Sequence, residues 1–365
     1  MKIKEITNYI ESIAPLSYQE SYDNAGLIVG NESDETNGAL ITLDVTEPLI
    51  DEAIKLNFKL IIAHHPLIFN GIKKINSSTE IGRCLIKAIK NNIAVYAAHT
   101  NLDNVIRGVN SKICNKIGLT NCRILKPFNN KLRKLVVYTP ATHAHQVQES
   151  IFSAGGGCIG NYDSCGYSLK GEGTFRGNGN THPFVGEKEK LHTEKEIRIE
   201  TVIPEIIKEK VISAIKEVHP YEEIAYDIYP LDLEYPMAGS GMTGELAEPE
   251  DEESFLTRIK ESFKIKSLRY SSFLGKKIKK VAICGGSGSS LINQAIFSKA
   301  DIFLTGDIKY HDFFRTENRI ILADIGHYES EQYTKELFYD LLIKKFPKFA
   351  LRLSDINTNP VHYMI

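Results

Sequence analysis

The sequence predicts an α/β protein in which both ends of the chain form one domain and a second domain is inserted between them. Strand-like and helix-like segments alternate at both ends of the chain, and the middle third has a different element order. Alternating strands and helices favour parallel sheets with ligand sites beyond the carboxyl ends of the strands. We therefore expect an outer α/β domain over residues 1–125 and 237–365 and an insert over 126–236.

The two outer thirds of the chain share the same alternation of predicted strands and helices. After an amphipathic helix with Ile3, Ile6 and Ile10 on one face, the first third is predicted to form strands at 39–43, 59–63 and 94–98 and helices at 48–58, 80–93 and 105–117. The last third is predicted to form strands at 280–284, 301–305 and 320–323 and helices at 289–298, 311–315 and 331–345. The element order predicts two similar three-layer halves.

The middle third reads as a ferredoxin-like domain. Its predicted strands and helices follow a βαββαβ order, with strands at 131–138, 196–202 and 223–229, helices at 143–154 and 206–218, and a glycine-rich hairpin near 171–179. Residues 236–253 are polar and rich in Gly and Pro, which predicts a return linker.

Composition narrows the functional classes. Lys and Arg number 44 against 46 acidic residues, a net charge of −2 that argues against nucleic acid as a general partner. Six cysteines without a C-x-x-C pair predict reduced thiols rather than a zinc finger or a disulfide framework. No window approaches the roughly 18 consecutive apolar residues of a membrane span, so we expect a cytoplasmic protein with no membrane partner.

Potential metal ligands follow three predicted strands. His64 and His65 end the first, Asp103 lies just beyond the second, and His327 precedes Glu331 by four residues after the third. If a helix begins at His327, these last two side chains share one face. Three imidazoles and two carboxylates at strand ends are a suitable ligand set for two divalent ions about 3.5–4 Å apart.

Such ligands suit Zn, Fe, Mn or Ni, and we expect zinc first, with iron or manganese as alternatives. Water between two such ions becomes a hydroxide near neutral pH, which points to metal-assisted hydrolysis. A purely structural role for these residues is the alternative. Each histidine could be a hydrogen-bonded loop residue, and Asp103 could cap a helix together with Asn104.

Further candidates lie beside these ligands. His99 is a candidate for proton transfer, although a buried, hydrogen-bonded histidine is the simpler interpretation. Asp307 and His311 follow another strand end and are either proton-transfer or supporting groups or members of a surface turn. The glycine-rich run at 284–290 lacks the Lys of a P-loop, so we interpret it as a tight strand-to-helix turn rather than a phosphate site.

Six segments in order resemble the family of GTP cyclohydrolase 1 type 2 homologues, also called NGG-interacting-factor-three-like. These are Tyr22–Leu27, His64–Phe69, Ala98–Asp103, Cys284–Gly288, Thr305–Asp312 and Gly326–Glu331. The segment His219–Glu223 resembles the CutA/PII-like insert of the longer bacterial members. One departure is visible: the first segment of the family usually opens with Trp, where this chain has Tyr22.

The resemblance implies a dinuclear centre with ligands at His64, His65, Asp103, His327 and Glu331, the two carboxylates contacting both ions. It also implies a toroidal homohexamer. We therefore predict a metal-dependent hydrolase that acts on an unidentified small molecule by GTP cyclohydrolase-like chemistry or by phosphoester or nucleotide hydrolysis, with His99 or His311 moving protons. The alternative is a non-catalytic metal-binding, metal-delivery or regulatory assembly protein.

Overall fold

The structure is a computed structural model that describes residues 1–364, and the fold is mixed α/β. The strands are β1 Gly26–Val29, β2 Gly38–Thr42, β3 Leu60–Ala63, β4 Ala94–Ala97, β5 Thr120–Asn129, β6 Leu132–Pro140, β7 Gly166–Phe175, β8 His192–Pro204, β9 Tyr226–Leu231, β10 Glu234–Glu250, β11 Arg269–Tyr270, β12 Ile278–Ser287, β13 Ile302–Gly306, β14 Ile321–Asp324 and β15 Ala350–Leu353. The α-helices are α1 Ile3–Ile13, α2 Glu47–Lys55, α3 Glu80–Lys90, α4 Thr100–Asp103, α5 Val109–Ile117, α6 Ala144–Ser153, α7 Lys208–Val218, α8 Glu252–Ser262, α9 Ile292–Phe297, α10 His327–Glu331 and α11 Thr334–Lys345.

The chain divides into two units. The first combines Met1–Pro127 with the chain from Pro236 onward, and the second is Phe128–Tyr235. Within residues 1–364, none of the helices combines the length and apolar character that a membrane crossing requires.

Two sheets build the first unit, with strand orders β1-β4-β3-β2-β15 and β11-β14-β13-β12-β10-β5. In each sheet three consecutive strands run parallel, β2-β3-β4 in one and β12-β13-β14 in the other. An antiparallel strand lies beside the last of the three in both sheets, β1 beside β4 and β11 beside β14. This shared order agrees with the two similar halves predicted from the sequence.

Apolar packing fixes the parallel strands. In the first sheet, Leu40, Ile61 and Val95 are buried against Leu49 of α2 and Leu85 of α3. In the second sheet, the buried cluster includes Ala282, Phe303 and Leu322 from the strands and Ile292 and Ala295 from α9. Burial of this kind stabilises by about 25 cal/mol per Å² of apolar surface. The strand ends, where the candidate ligands begin, are therefore anchored in rigid structure.

The second unit is a four-stranded antiparallel sheet in the order β7-β8-β6-β9, with α6 and α7 against one face. Leu135 and Ile199 from the strands meet Val147, Val211 and Ile215 from the helices in one buried core. This strand order, with a helix after the first and third strands, is that of a ferredoxin-like βαββαβ domain.

The predicted linker at 236–253 was wrong. Those residues belong to the 17-residue strand β10 and the start of α8, and β10 lies between β12 and β5 in the second sheet. The glycines that suggested a linker serve close packing instead: a Cβ on Gly239 would lie 2.1 Å from the carbonyl oxygen of Lys126. Strand β5 was also missed.

Two predicted helices also differ from the structure. Helix α5 begins at Val109 rather than 105, because Val105 bridges Ala238 and the Ile106 amide donates to the Met237 carbonyl oxygen. These long-range backbone pairs replace helical hydrogen bonds. The helix predicted at 331–345 is divided into α10 and α11, so that Glu331 ends one helix instead of beginning another.

Candidate metal centre

Three strand ends of the first unit bring potential ligands together. His64 and His65 directly follow β3, and Asp103 ends the short helix α4 beyond β4. His327 and Glu331 are the first and last residues of α10, which follows β14. The spacing prediction for α10 is confirmed, because both side chains lie on one face with His327 Nε2 3.1 Å from Glu331 Oε2.

His64 is fully buried and its tautomer is set by the backbone. Its Nδ1 donates to the carbonyl oxygen of Ala98 at 2.9 Å, because a carbonyl can only accept. The Nε2 atom therefore presents a lone pair, 3.7 Å from Asp103 Oδ1 and 3.6 Å from Glu331 Oε1. Burial lowers the pKa of the imidazole, which favours the neutral form that can bind a metal.

His65 and His327 form a second group on the other oxygen of Glu331. His65 Nε2 lies 3.0 Å from Glu331 Oε2 and 3.4 Å from His327 Nε2. Their Nδ1 atoms donate to Asp44 at 2.7 Å and to Asp307 at 2.6 Å. Carboxylates in this position fix the ring orientation of metal-binding histidines.

The charges of this second group follow from the same contacts. Burial alone would lower the pKa of His65, but Asp44 and Glu331 raise it to about 9. Burial is likewise outweighed at His327, where Asp307 and Glu331 raise the pKa to about 11. Burial would raise the pKa of Glu331, yet the neighbouring imidazoles hold it well below its usual value. Glu331 is therefore an anionic centre between two sets of imidazoles.

The pKa of Asp103 is shifted in the opposite direction. Burial, followed by repulsion from Glu331, raises the pKa of its carboxyl well above the usual range. Among the described residues, Asp103 Oδ1 and His64 Nε2 are both buried atoms without a hydrogen-bond partner. Buried polar atoms that converge without a partner need an explanation, and an ion is one of the standard ones. A cation at this point would satisfy both atoms and favour the charged carboxylate.

The donor set fits divalent metal ions. Ligand atoms of His64, Asp103 and Glu331 lie within 4.8 Å of one another, as do those of His65, His327 and Glu331. A third such group joins His99 to His64 and His65. Imidazole nitrogen with carboxylate oxygen is the combination that zinc and other first-row metals accept.

His99 lies beside the two adjacent histidines. Its ring centroid is 5.3 Å from those of both His64 and His65. Its Nδ1 donates to Asp23 at 2.7 Å, and the backbone amide and hydroxyl of Thr100 also donate to that carboxylate. The remaining ring nitrogen, Nε2, is therefore left to accept a proton or bind an ion.

His311 is not brought to this cluster. It is exposed on a 3₁₀ turn, Tyr310–Thr316, where its ring contacts Tyr310 and Phe314. It is absent from the residues that line the cavity over the cluster. The surface-turn interpretation of His311 therefore fits the geometry better than proton transfer.

A cavity of about 840 Å³ opens over the cluster. His65, His99, Asp103, His327 and Glu331 line it, together with residues beyond the strand ends of the first sheet and residues of the second sheet. Sites for small molecules typically occupy clefts of about 300–1,000 Å³. The candidate metal centre is thus accessible to a small substrate.

Comparison with known proteins places the chain in a family. The sequence profile of Duf34/NIF3 (NGG1p interacting factor 3) matches residues 1–360. The chain belongs to this family. A relative from Halalkalibacterium halodurans named GTP cyclohydrolase 1 type 2 homolog is 38% identical over 98% of both chains. A relative of the same name from Bacillus subtilis is 36% identical over 99% of this chain and 98% of its own. A crystal structure of a Bacillus cereus protein related to NIF3 superimposes with a TM-score of 0.87 at 38% identity, covering 100% of this chain and 99% of that one.

Several residues of this candidate site were not found from the sequence. Asp44 and Ser330 were missed, while Asp307 was only one of several alternatives. The Ser330 hydroxyl accepts from the Gly286 amide at 3.0 Å and donates to the His327 carbonyl oxygen at 2.7 Å. An acid just after a strand end was the available signal for Asp44 and Asp307, because it repeats the pattern of the ligands themselves.

The glycine-rich carboxyl end of β12 has a role at the candidate site as well. Gly286 has a φ of 61°, and a Cβ there would lie 2.3 Å from Glu331 Oε1 and 3.3 Å from His327 Nε2. The amide of Gly285 donates to Asn110 Oδ1 at 2.9 Å. The turn predicted at 284–290 is present only in part, because β12 continues to Ser287. The absence of a side chain at Gly286 leaves room for the ligand groups.

Proposed function

We propose that the protein binds two divalent metal ions and uses them to hydrolyse a small phosphorylated or nucleotide-like molecule. The observation that carries this proposal is the pair of ligand groups that share Glu331 at the floor of one cavity. His64 and Asp103 would hold one ion and His65 and His327 the other, with Glu331 contacting both. Zinc is the first metal to test, followed by iron and manganese.

Bound ions would supply Lewis acidity and a nucleophilic water near neutral pH. The chain itself orients the reaction. Asp44 and Asp307 fix the rings of His65 and His327, and the Ala98 carbonyl fixes that of His64. Asp23 holds His99 with its Nδ1 protonated, so that Nε2 can take a proton from an attacking water or return one to a leaving group.

Three further features belong to this proposal. The name of the relatives makes GTP and related nucleotides the first substrates to test. The antiparallel βαββαβ unit is proposed to be a CutA/PII-like insert, and the functional oligomer a toroidal homohexamer. The mass of the protein in solution tests the hexamer directly, since a monomer or dimer would contradict the hexamer.

The test combines metal analysis with turnover. Protein reconstituted with zinc, manganese or iron is expected to bind two ions per chain and to hydrolyse at least one member of a nucleotide and phosphoester panel. Asp103→Asn should lose both metal and turnover, whereas His99→Gln should keep the metal and lose turnover. Fewer than one ion per chain after reconstitution would overturn the proposal. Full metal binding without turnover across the panel would favour metal delivery or regulation instead.

A further inference from the structure

Two exposed aromatic side chains stand at the mouth of the cavity. Tyr22 is 64% exposed and Phe69 is 44% exposed, and both line the cavity. Their ring centroids are 6.2 Å apart with an interplanar angle of 52°. The Phe69 ring is also 6.1 Å from that of His99. The pair therefore lies directly beside the candidate metal centre.

The loops that carry the two rings are tied together and to the core. The side-chain amide of Asn24 donates to the Ile68 carbonyl oxygen at 2.7 Å. Asp23, next to Tyr22, is held by His99 and by the Thr100 backbone amide at 3.0 Å. Loops fixed in this way lose little backbone entropy when the rings bind a ligand, and aromatic side chains themselves have few rotatable bonds to order.

A carboxylate lies in the same loop. Glu20 lines the cavity two residues before Tyr22, and its Oε1 accepts from Asn104 Nδ2 at 3.2 Å. Its backbone amide donates to the hydroxyl of Thr100 at 2.9 Å, which fixes the loop. An ionised carboxylate has about four acceptor positions, so most of the capacity of Glu20 is available to a ligand with N–H donors.

We propose that Tyr22 and Phe69 form a stacking platform for a planar nitrogen heterocycle, and that Glu20 accepts hydrogen bonds from its N–H groups. A purine is the simplest ring of this class. Stacking on aromatic side chains tolerates any ring with a π-face, whereas the carboxylate selects rings that donate. The proposal rests on the proposed function for the fate of the bound molecule, but ring binding itself does not require the metal.

The experiment measures equilibrium binding of three probes to the full-length protein, with and without reconstituted metal. Guanosine 5′-monophosphate offers a planar ring with N–H donors, purine riboside 5′-monophosphate offers a ring without them, and ribose 5-phosphate has no aromatic ring. We expect affinity to fall in that order. Tyr22→Ala and Phe69→Ala should each weaken both nucleotides roughly ten-fold or more and leave ribose 5-phosphate unchanged.

Three further variants sharpen the test. Glu20→Gln should reduce the preference for guanosine monophosphate over the purine riboside, and Tyr22→Trp should keep wild-type affinity because a ring remains. The matched control is Phe314→Ala, which removes a 64% exposed ring from an aromatic pair outside the cavity lining. It should change no affinity.

Two outcomes would overturn the platform. One is the absence of saturable binding of either nucleotide at millimolar probe. The other is unchanged affinity in Tyr22→Ala and Phe69→Ala, or a change of oligomer mass in place of affinity, which would make the pair a subunit contact. Metal content, measured on the same samples, reports separately on the proposed metal centre.

Discussion

The imidazoles of the candidate centre are each held by a fixed partner on the far side of the ring. His64 uses a backbone carbonyl, and His65, His327 and His99 use Asp44, Asp307 and Asp23, respectively. Four rings oriented in this way leave four Nε2 atoms for ions, protons or substrate. The residue that joins the groups is Glu331, because its two oxygens contact different histidines.

Replacing Glu331 tests directly whether its carboxylate connects the two ligand groups. Glu331→Gln keeps the size of the side chain but removes the anion that His65 and His327 contact. We expect the metal content to fall to one ion per chain or fewer, with a loss of affinity beyond the roughly 10–100-fold typical of a lost outer-shell partner. Elemental analysis after reconstitution measures the content.

Glu329→Gln is the control for that variant. Glu329 lies in the same short helix and is also buried, but it belongs to neither ligand group and accepts from Asn359 Nδ2 at 3.1 Å. It should retain both ions. Equal metal loss in the two variants would show that disruption of α10, rather than the Glu331 carboxylate, is responsible.

The lowered pKa of the Asp23 carboxylate predicts that the free energy of unfolding depends on pH. Burial would raise its pKa, but the hydrogen bonds from His99 and Thr100 lower it to about 2. An acid with a lowered folded-state pKa stabilises the fold above its ordinary value near 3.9, and this contribution is lost as pH falls. Asp23→Asn should therefore cost about 1–3 kcal/mol at neutral pH, and less as the pH falls below about 4.

Urea unfolding of wild type and Asp23→Asn across this pH range measures the difference in the free energy of unfolding. Asp34→Asn, at an exposed position, should show no such difference. A gap between wild type and Asp23→Asn that stays constant with pH would contradict the assignment of the shift to this carboxylate.

At this scale the sequence was informative for residues that directly follow strands. The five predicted ligands converge because the carboxyl ends of parallel strands face one another across the two sheets. Asp44 carried the same strand-end signal as the ligands but was not assigned, and the role of Gly286 exists only once Glu331 packs beside it. His311 is the converse case, since it follows a strand end but does not line the cavity.

Among the elements, the glycine-rich carboxyl end of β12 decides whether the ligand groups can form. A Cβ on Gly286 would overlap Glu331 Oε1 at 2.3 Å and would also require a side chain at positive φ. We expect Gly286→Ala to lose metal by displacing Glu331 as well as to lower the free energy of unfolding. Metal content and thermal unfolding of the same samples separate the two effects.

Gly118→Ala separates backbone strain from crowding. Gly118 also has a positive φ, 81°, but an added Cβ would meet no atom within 4 Å. This control should be destabilised by about 1 kcal/mol and should bind metal normally. Loss of metal in Gly118→Ala would show that strain alone accounts for the Gly286 result.

Elements with strong local patterns were predictable, and those defined by distant pairing were not. Helix α3 follows its apolar spacing and its Thr79 cap, whose hydroxyl accepts from the Gly82 amide. Strand β10 was mistaken for a linker because its glycines and prolines oppose strand propensity. Its pairing with β12, together with the close approach of Gly239 to β5, overrides that local preference.

For the whole molecule, the long insertion does not interrupt the chemistry. The candidate ligands come from residues 64–103 and 327–331, on opposite sides of the insert in sequence, yet all lie in the first unit. Such a site forms only when the two ends of the chain pack together. Metal binding therefore reports on the assembly of the first unit as a whole.

Deleting the second unit is therefore expected to leave the metal centre intact. The chain leaves the first unit at Pro127 and returns at Pro236, and β5 and β10 lie side by side in one sheet, so a short Gly-Ser turn can join them. We expect the shortened protein to bind two ions per chain with ligand dependence on Glu331 unchanged, as measured by elemental analysis of wild type and Glu331→Gln in both lengths. A shortened protein that shows cooperative thermal unfolding but no metal would mean that the second unit contributes to the centre. If metal binding survives but turnover falls, the insert instead acts on substrate access or assembly.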